Sequence, residues 1–229
     1  MEHYKEAKLP PIPHPNKPEG KTTWHGSGEF MKYNRWGKNP NTDSAFALEV
    51  RKHYAACVSY ADAQVGKIIN RLNKLGLHKN TLIVVWGDHG WHLGEHAIWG
   101  KHSLFEESLR SPLIIVDPVI QKPGEITSSI VETIDLFPTL CDLVDLKKPA
   151  FLDGSSLLPI LKDPKIATDN IAISYNGKAN TIRTATHRLI KHSKGHLELY
   201  DHTSPDRETR NIAKEHPELA NKLAAKLSK

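Results

Sequence analysis

The 229-residue sequence has few cysteines, no long apolar run and no block of basic residues. Its apolar runs fall far short of the roughly 20 residues that a transmembrane helix needs, which excludes a membrane-spanning helix. The net charge of +5 is not gathered into clusters interleaved with aromatic residues, so a nucleic-acid-binding surface has no support. The weak positive balance favours an anionic ligand.

The two cysteines, Cys57 and Cys141, each lie in a predicted helix among apolar neighbours. Because free cysteine behaves as a small buried hydrophobe, we expect two buried thiols rather than a disulfide. The opening residues Met1 to Lys5 lack the apolar segment of a signal peptide, so no targeting segment is predicted there.

One stretch, Thr81 to His102, concentrates titratable residues behind an apolar run. The run Leu82–Trp86 is rich in β-formers and ends at a glycine, which predicts a buried strand of a parallel sheet. Ligands of open α/β sheets bind beyond the carboxyl ends of the strands, and Asp88 and His89 lie at such an end. A carboxylate beside an imidazole can hold a metal or face an oxyanion. Lys101 adds a point charge suited to an anionic oxygen.

A competing motif lies in the same stretch. His92, Glu95 and His96 match the H-x-x-E-H signature, in which two histidines on one helical face bind zinc and the glutamate is a general base. Gly94 lies inside the motif, and glycine in a helix interior costs about 1 kcal/mol relative to alanine. A loop leaving a strand is therefore the favoured context, and a zinc peptidase is the less favoured alternative.

The rest of the chain predicts an α/β part over residues 1–165 and a small α+β part over residues 166–229. Residues 1–42 are rich in proline and predict an extended segment, whose aromatic residues we expect to pack on something. Asp43 or Ser44 and then Gly76 predict the caps of a long helix with one apolar stripe. The later predicted elements are, in order, a strand at Pro112–Val116, a helix at Ile134–Val144, four antiparallel strands at Ile171–Tyr175, Thr181–Thr186, Arg188–Lys191 and Leu197–Tyr200, and a helix at Glu215–Lys229.

Motifs spread along the chain carry a resemblance to a known family. They are, in chain order, Tyr54–Gly66, Gly87–Lys101, Arg110–Ile115, Asp135–Leu140, Asp153–Leu157 and Leu199–Asn211. The ordered set resembles the carboxyl-terminal part of a type I sulfatase, closest to the iduronate-2-sulfatase-like branch. The resemblance implies part of an alkaline-phosphatase-like α/β sandwich, which is a mixed, mostly parallel sheet flanked by helices. It also implies a small carboxyl-terminal antiparallel sheet with a helix.

The resemblance also implies roles for individual residues. Asp88 and His89 match positions that complete a divalent-metal site, usually calcium, although calcium prefers oxygen donors to histidine. Lys101 matches the lysine that contacts the sulfate and bridging oxygens, and is the implied catalytic and substrate-binding residue. His102 and Trp91 are weaker candidates for lining the substrate pocket, and are equally plausible as structural neighbours.

The nucleophile of that family does not occur in this sequence. It is a formylglycine made from the first residue of Cys-x-Pro-x-Arg or Ser-x-Pro-x-Arg, and neither Cys57 nor Cys141 begins such a motif. Thr203–Arg207 has the spacing but begins with threonine. We therefore expect a sulfatase fragment for sulfate monoesters of a sugar, with little activity of its own and an amino-terminal part as its partner.

Two alternatives remain beside the sulfatase fragment and the zinc peptidase. One is a non-catalytic remnant or a module that binds an anion or a metal. The other is a phosphodiesterase or phosphonate hydrolase of the same superfamily. Sulfatases are generally exported or lysosomal, but the sequence leaves the compartment open.

Overall fold

The described part of the chain, residues 4–120 and 124–227 of a computed structural model, contains five α-helices, several short 3-10 helices and three antiparallel sheets. In chain order the elements are α1 Ser44–Lys74, β1 Ile83–Trp86, β2 His92–Leu93, β3 Trp99–Gly100, α2 Glu106–Leu109, β4 Leu113–Val116, α3 Leu136–Leu143, α4 Leu158–Lys162, β5 Ala172–Asn176, β6 Ala179–Arg183, β7 His187–His192, β8 Leu197–Asp201 and α5 Pro217–Lys226. Within these residues, no helix has the length and apolar character to cross a membrane.

The long helix α1 begins and ends at the predicted caps. The Asp43 carboxylate accepts a hydrogen bond from the Phe46 amide, and Gly76 takes a left-handed φ of 70° after the last turn. The helix buries only Phe46 and Ala47, and Ile68 is 68% exposed. Most of the predicted apolar stripe therefore faces solvent in the described residues.

The two cysteines differ in their surroundings. Both are free thiols, and Cys141 in α3 is buried as expected. Cys57 lies on the uncovered side of α1 and is exposed, so the prediction of a buried thiol is wrong there. The helix was predicted correctly, but the described residues leave Cys57 exposed.

Strand β1 pairs with β4 in an antiparallel register, with Ile83 opposite Val116. The predicted strand is present, but the prediction that it pairs in a parallel sheet is wrong, because its partner β4 is antiparallel. Trp86 is 45% and Ile114 is 55% exposed. Strands covered on both faces are apolar at successive positions, as these are, but the described residues leave part of both strands exposed.

The four carboxyl-terminal strands form an antiparallel meander in the order β5-β6-β7-β8, as predicted. Successive residues of a strand point to opposite faces of a sheet. On one face Ile182, Leu189 and Leu199 pack against Ala220 and Leu223 of α5. The predicted closing helix is thus present, although it begins at Pro217 and residues 228–229 lie outside the described range.

The other face of the meander is buried as well. There Ile190 and Tyr200 pack against Ile98, Leu104 and Phe105. All five side chains are at most 1% exposed. The meander is therefore the middle layer of three, with α5 on one side and the segment that follows the Asp88–His89 pair on the other.

Buried charges also join α2 to the meander. The Arg188 guanidinium, 2% exposed, forms ion pairs with Glu106 of α2 and with Glu208. The Glu106 amide donates to Glu208 Oε2 at 2.6 Å. Burial alone would raise the pKa of Glu208, but Arg188 and the His202 hydrogen bond lower it to about 2. Glu208 is therefore an anion that holds α2 against the sheet.

The proline-rich segment, residues 1–42, packs in part against the Thr81–His102 stretch. Trp24 Nε1 donates to the His96 carbonyl at 2.6 Å, and Phe30 is buried. These contacts agree with the expectation that its aromatic residues pack on something. Trp36, at 75% exposed, does not.

Candidate active site

The loop after β1 is fixed by backbone contacts to the segment before β4. The Gly87 amide donates to the Pro112 carbonyl at 3.0 Å, and the Gly90 amide donates to the Ser108 carbonyl at 2.8 Å. A Cβ on Gly90 would lie 2.0 Å from the Glu107 carbonyl oxygen, so only glycine fits there. The two residues between these glycines are thereby held at the carboxyl end of β1.

Those two residues, Asp88 and His89, place a ring nitrogen and a carboxylate oxygen close to each other. His89 Nδ1 lies 2.8 Å from the Gly90 carbonyl oxygen. A carbonyl only accepts, so Nδ1 carries the proton and Nε2 keeps its lone pair. His89 Nε2 lies 3.7 Å from Asp88 Oδ2, and Asp88 is 76% exposed at its side chain. An imidazole nitrogen and a carboxylate oxygen in this arrangement fit a divalent cation, and they supply part of its coordination sphere.

The pairing of β2 with β3 brings Trp91 and Lys101 together. His92 lies opposite Gly100 in the ladder, so the residues just outside this pair are neighbours in space. Lys101 Nζ lies 6.0 Å from the centre of the Trp91 ring, and its side chain is 31% exposed. Two of the residues proposed from the sequence thus form one cationic and aromatic surface.

Glu29 joins this surface and was not found from the sequence. Its Oε1 lies 3.6 Å from Lys101 Nζ, and its Oε2 lies 3.0 Å from His102 Nε2. Tyr33 donates to Oε1 at 3.1 Å. Desolvation acts to raise the pKa of Glu29, but the hydrogen bond from Tyr33 and the neighbouring Lys101 and His102 lower it overall. Glu29 lies in the irregular proline-rich segment, where no motif or periodicity marks it.

The structure therefore brings the predicted residues together as two groups. Asp88 and His89 form one group, and Trp91, Lys101 and His102 form the other around Glu29. Among the described residues no hydrogen bond or ion pair joins the two groups.

The H-x-x-E-H residues do not form an α-helix. His92 belongs to β2, and His96 has a left-handed φ of 55° within a short 3-10 turn. The Glu95 carboxylate accepts from the Leu93 amide at 2.7 Å. The loop context predicted for this motif is confirmed, and the geometry of a helical zinc peptidase is absent from these residues.

Comparison of the fold with solved structures defines the class of protein. The fold resembles that of a protein solved in complex with its substrate D-glucosamine-2-N,6-O-disulfate, with a TM-score of 0.73 and 29% identity over 88% of this chain and 44% of that one. It also resembles a phosphonate monoester hydrolase from Silicibacter pomeroyi, with a TM-score of 0.70 and 27% identity over 89% of this chain and 46% of that one. The fold class is the predicted alkaline-phosphatase-like α/β type, with a small carboxyl-terminal antiparallel sheet and helix.

Sequence comparison narrows the class to a family. Residues 11–146 match the sulfatase family, and residues 94–229 match the carboxyl-terminal region of N-sulphoglucosamine sulphohydrolase. The chain is 34% identical over 188 residues to a sulfatase of Formosa agariphila, which covers 80% of this chain and 37% of that protein. It is 32% identical over 194 residues to arylsulfatase K of Bos taurus, covering 78% and 36%. The chain belongs to the sulfatase family, and it spans little more than a third of the length of these relatives.

Proposed function

We propose that this chain forms one wall of a sulfatase active site that hydrolyses sulfate monoesters of a sugar. The observation that carries the proposal is the convergence of His89 Nε2 and Asp88 Oδ2, 3.7 Å apart, beyond a strand of a chain in the sulfatase family. The structural relative whose substrate is a glucosamine disulfate supports a sulfated sugar as the ligand class. The order of motifs from Tyr54 to Asn211 supports the iduronate-2-sulfatase-like branch as a narrower hypothesis, although relatives include arylsulfatase K.

Each group of the candidate site has its own part in this proposal. Asp88 and His89 would hold a divalent cation, calcium by the family resemblance, which supplies positive charge against the sulfate oxygens. Lys101 would donate Nζ–H to a sulfate oxygen in exchange for Glu29, and the Trp91 ring would limit where that ammonium can move. His102 would contribute a second polar contact at the rim.

We further infer that the nucleophile and the remaining metal ligands belong to an amino-terminal part of the fold. Two observations support this. The formylglycine motif does not occur among the 229 residues, and the relatives extend well beyond the matched region. The exposed apolar residues of α1, β1 and β4 would be covered by that part. The chain alone is therefore expected to hydrolyse sulfate esters slowly or not at all.

The metal half of the proposal is tested by titrating the 229-residue chain with calcium in a calorimeter. We expect binding that is weak, because two donors are few for an ion that takes about six to eight. Asp88→Asn should abolish the heat, and Asp169→Asn, at an exposed position, should leave it unchanged. Equal heats for the two variants would contradict the assignment of Asp88. No heat with calcium or with sulfate in any variant would favour a structural module.

The catalytic half is tested by incubating the same chain with an aryl sulfate and calcium. We expect no turnover above that of the buffer. Turnover by the chain that disappears in Asp88→Asn would overturn the inference that the nucleophile lies elsewhere.

A phosphonate or phosphate-diester hydrolase is the second candidate, and the similarity to a phosphonate monoester hydrolase favours it. Both chemistries place an anionic tetrahedral centre between a cation and a lysine. The ratio of rates on an aryl sulfate and an aryl phosphonate, measured after the chain is joined to an amino-terminal part, separates them. A ratio above one supports the sulfatase.

A further inference from the structure

A further group of potential metal-ligating side chains is separate from the Asp88–His89 pair. It consists of His92, His96 and Glu107, whose potential ligand atoms all lie within 4.8 Å of one another. Nδ1 of His92 and Nδ1 of His96 lie 4.0 Å and 3.9 Å from the same atom, Glu107 Oε2. The two imidazoles are 0% and 1% exposed.

Two of these atoms are buried without a hydrogen-bond partner. His96 Nδ1 and Glu107 Oε2 are both hidden from solvent, and neither has a donor or acceptor within reach. Buried polar atoms are satisfied in almost all native structures, so each such orphan requires an explanation. Two of the three separations are 4.0 Å and 3.9 Å, and the third is within 4.8 Å. An ion equidistant from the three atoms would lie roughly 2.3–2.5 Å from each, so small side-chain movements would bring it to the lengths of zinc–nitrogen and zinc–oxygen bonds. One cation would satisfy both orphans.

The surroundings of His92 suit a metal ligand. Its Nε2 lies 2.8 Å from Ser103 Oγ, which in turn lies 2.8 Å from Ser108 Oγ. Donation from Nε2 to Ser103 leaves the lone pair on Nδ1, and an outer hydrogen bond of this kind orients metal-binding histidines in general. Nδ1 also lies 3.2 Å from the Glu95 carbonyl oxygen. A carbonyl only accepts, so in the ion-free chain this contact holds the proton on Nδ1. Metal binding would replace the contact and requires the other tautomer, with the proton on Nε2.

The protonation states agree with this geometry. Burial lowers the pKa of His92 to about 3 and that of His96 to about 4, so both imidazoles are neutral and able to donate a lone pair. Burial, with Glu208 nearby, raises the pKa of Glu107 to about 7.

We propose that His92, His96 and Glu107 bind one zinc-class divalent ion. The ion would connect the segment from His92 to His96 with α2. Two nitrogen donors and one carboxylate suit zinc, whereas calcium prefers an all-oxygen set. The third ligand comes from α2 and not from the H-x-x-E-H motif, because Glu95 is engaged by the Leu93 amide. The ion has a structural role and does not depend on the sulfatase proposal.

The metal content of the purified 229-residue chain tests the proposal. After incubation with zinc and exhaustive dialysis, we expect one equivalent of zinc per chain and a raised Tm. Glu107→Gln and His96→Ala should each weaken zinc binding roughly 100-fold, since even outer-sphere changes cost 10- to 100-fold. His53→Ala, an exposed histidine on α1, and Asp88→Asn should retain the zinc.

The controls separate this site from the one in the proposed function. Zinc lost in Asp88→Asn but retained in Glu107→Gln would overturn the proposal and assign the ion to the other pair. No zinc retained by the wild-type chain would overturn it outright. Because His96→Ala can impair folding, X-ray absorption at the zinc edge of the wild-type chain gives an independent measurement. Two imidazoles in the first shell support the proposal, and fewer than two contradict it.

Discussion

The carboxyl-terminal meander and the long helix have equally clear apolar patterns but very different burial. Ile182, Leu189 and Leu199 of the meander are 0% exposed, while Val58 and Ile68 of α1 are 54% and 68% exposed. The meander has a covering layer on each face within the chain, and α1 does not. An apolar pattern predicts that a surface requires a partner, and it does not say whether the same chain supplies that partner.

The difference is large in free energy. Burying a large apolar side chain is worth roughly 1.5–3 kcal/mol, and α1, β1, β4 and α3 leave several of them uncovered. Large contiguous apolar surfaces on a folded chain mark contacts with another surface. We therefore expect the meander to determine the stability of this chain, and α1 to contribute little until it is covered.

The largest effect is expected at the ion network that joins α2 to the meander. Glu208→Gln leaves the buried Arg188 short of a counter-charge, which costs about 3–5 kcal/mol. Urea unfolding at pH 7 measures it. The exposed pair of Arg210 with Glu215, at 2.8 Å, supplies the matched control, because Glu215→Gln should cost less than about 1 kcal/mol. Equal costs for the two changes would show that the network does not stabilise the meander.

The same carboxylate predicts a pH dependence. Its pKa is about 2 in the folded chain, below the ordinary value of 4.5 for an unfolded glutamate. The unfolded state therefore takes up the proton first as the pH falls, and the stability due to Glu208 is lost between about pH 4.5 and pH 2. Unfolding free energies of the wild type and of Glu208→Gln should converge over that window. A constant difference would contradict the assignment.

The next largest effect is expected for an apolar substitution in the core of the meander, compared with one on α1. Leu189→Ala removes a fully buried side chain and should cost about 2–5 kcal/mol. Ile68→Ala on α1 should change stability by less than about 0.5 kcal/mol, as surface substitutions usually do. Thermal or urea unfolding of the two variants provides the comparison. A cost at Ile68 near that at Leu189 would mean that α1 is covered, for example by a second copy of the chain.

Apart from the control variants, the smallest effect is expected at the amino-terminal cap of α1. Asp43→Ala removes the hydrogen bond to the Phe46 amide and should cost about 1 kcal/mol. The loss should appear as fraying of the first turn of α1 in circular dichroism or hydrogen exchange. Protection of the meander amides should stay the same, and their loss would show that the two regions unfold together.

Local signals made most elements predictable from the sequence. The caps of α1 and the four strands of the meander were predicted to within a few residues, because each depends on neighbours in sequence. The antiparallel pairing of β1 with β4 was not predicted, because strand pairing depends on residues that are distant in sequence.

The residues of the candidate site also fall into those that local sequence motifs predicted and those that only the structure revealed. Asp88, His89, Trp91, Lys101 and His102 were proposed from motifs, and the structure places them in two groups. Glu29 and Glu107 were not predicted, because no motif marks them. Folding brings Glu29 to Lys101 and His102, and Glu107 to His92 and His96. His92 and His96 were recognised as a pair, but the carboxylate that faces them is Glu107 rather than Glu95, a neighbour in space and not in sequence.

The layered meander also bears on the order in which the chain folds. Its strands are consecutive and joined by short turns, so little loop-closure entropy opposes their pairing. The segment with Ile98 and Phe105 packs on a face of that sheet and requires it to exist first. We expect pulsed hydrogen exchange to show protection of β6 and β7 before β2 and β3, and the reverse order would contradict this. The segment that carries Trp91, Lys101 and His102 then folds late. Any substitution that slows folding of the meander also slows formation of the candidate active site.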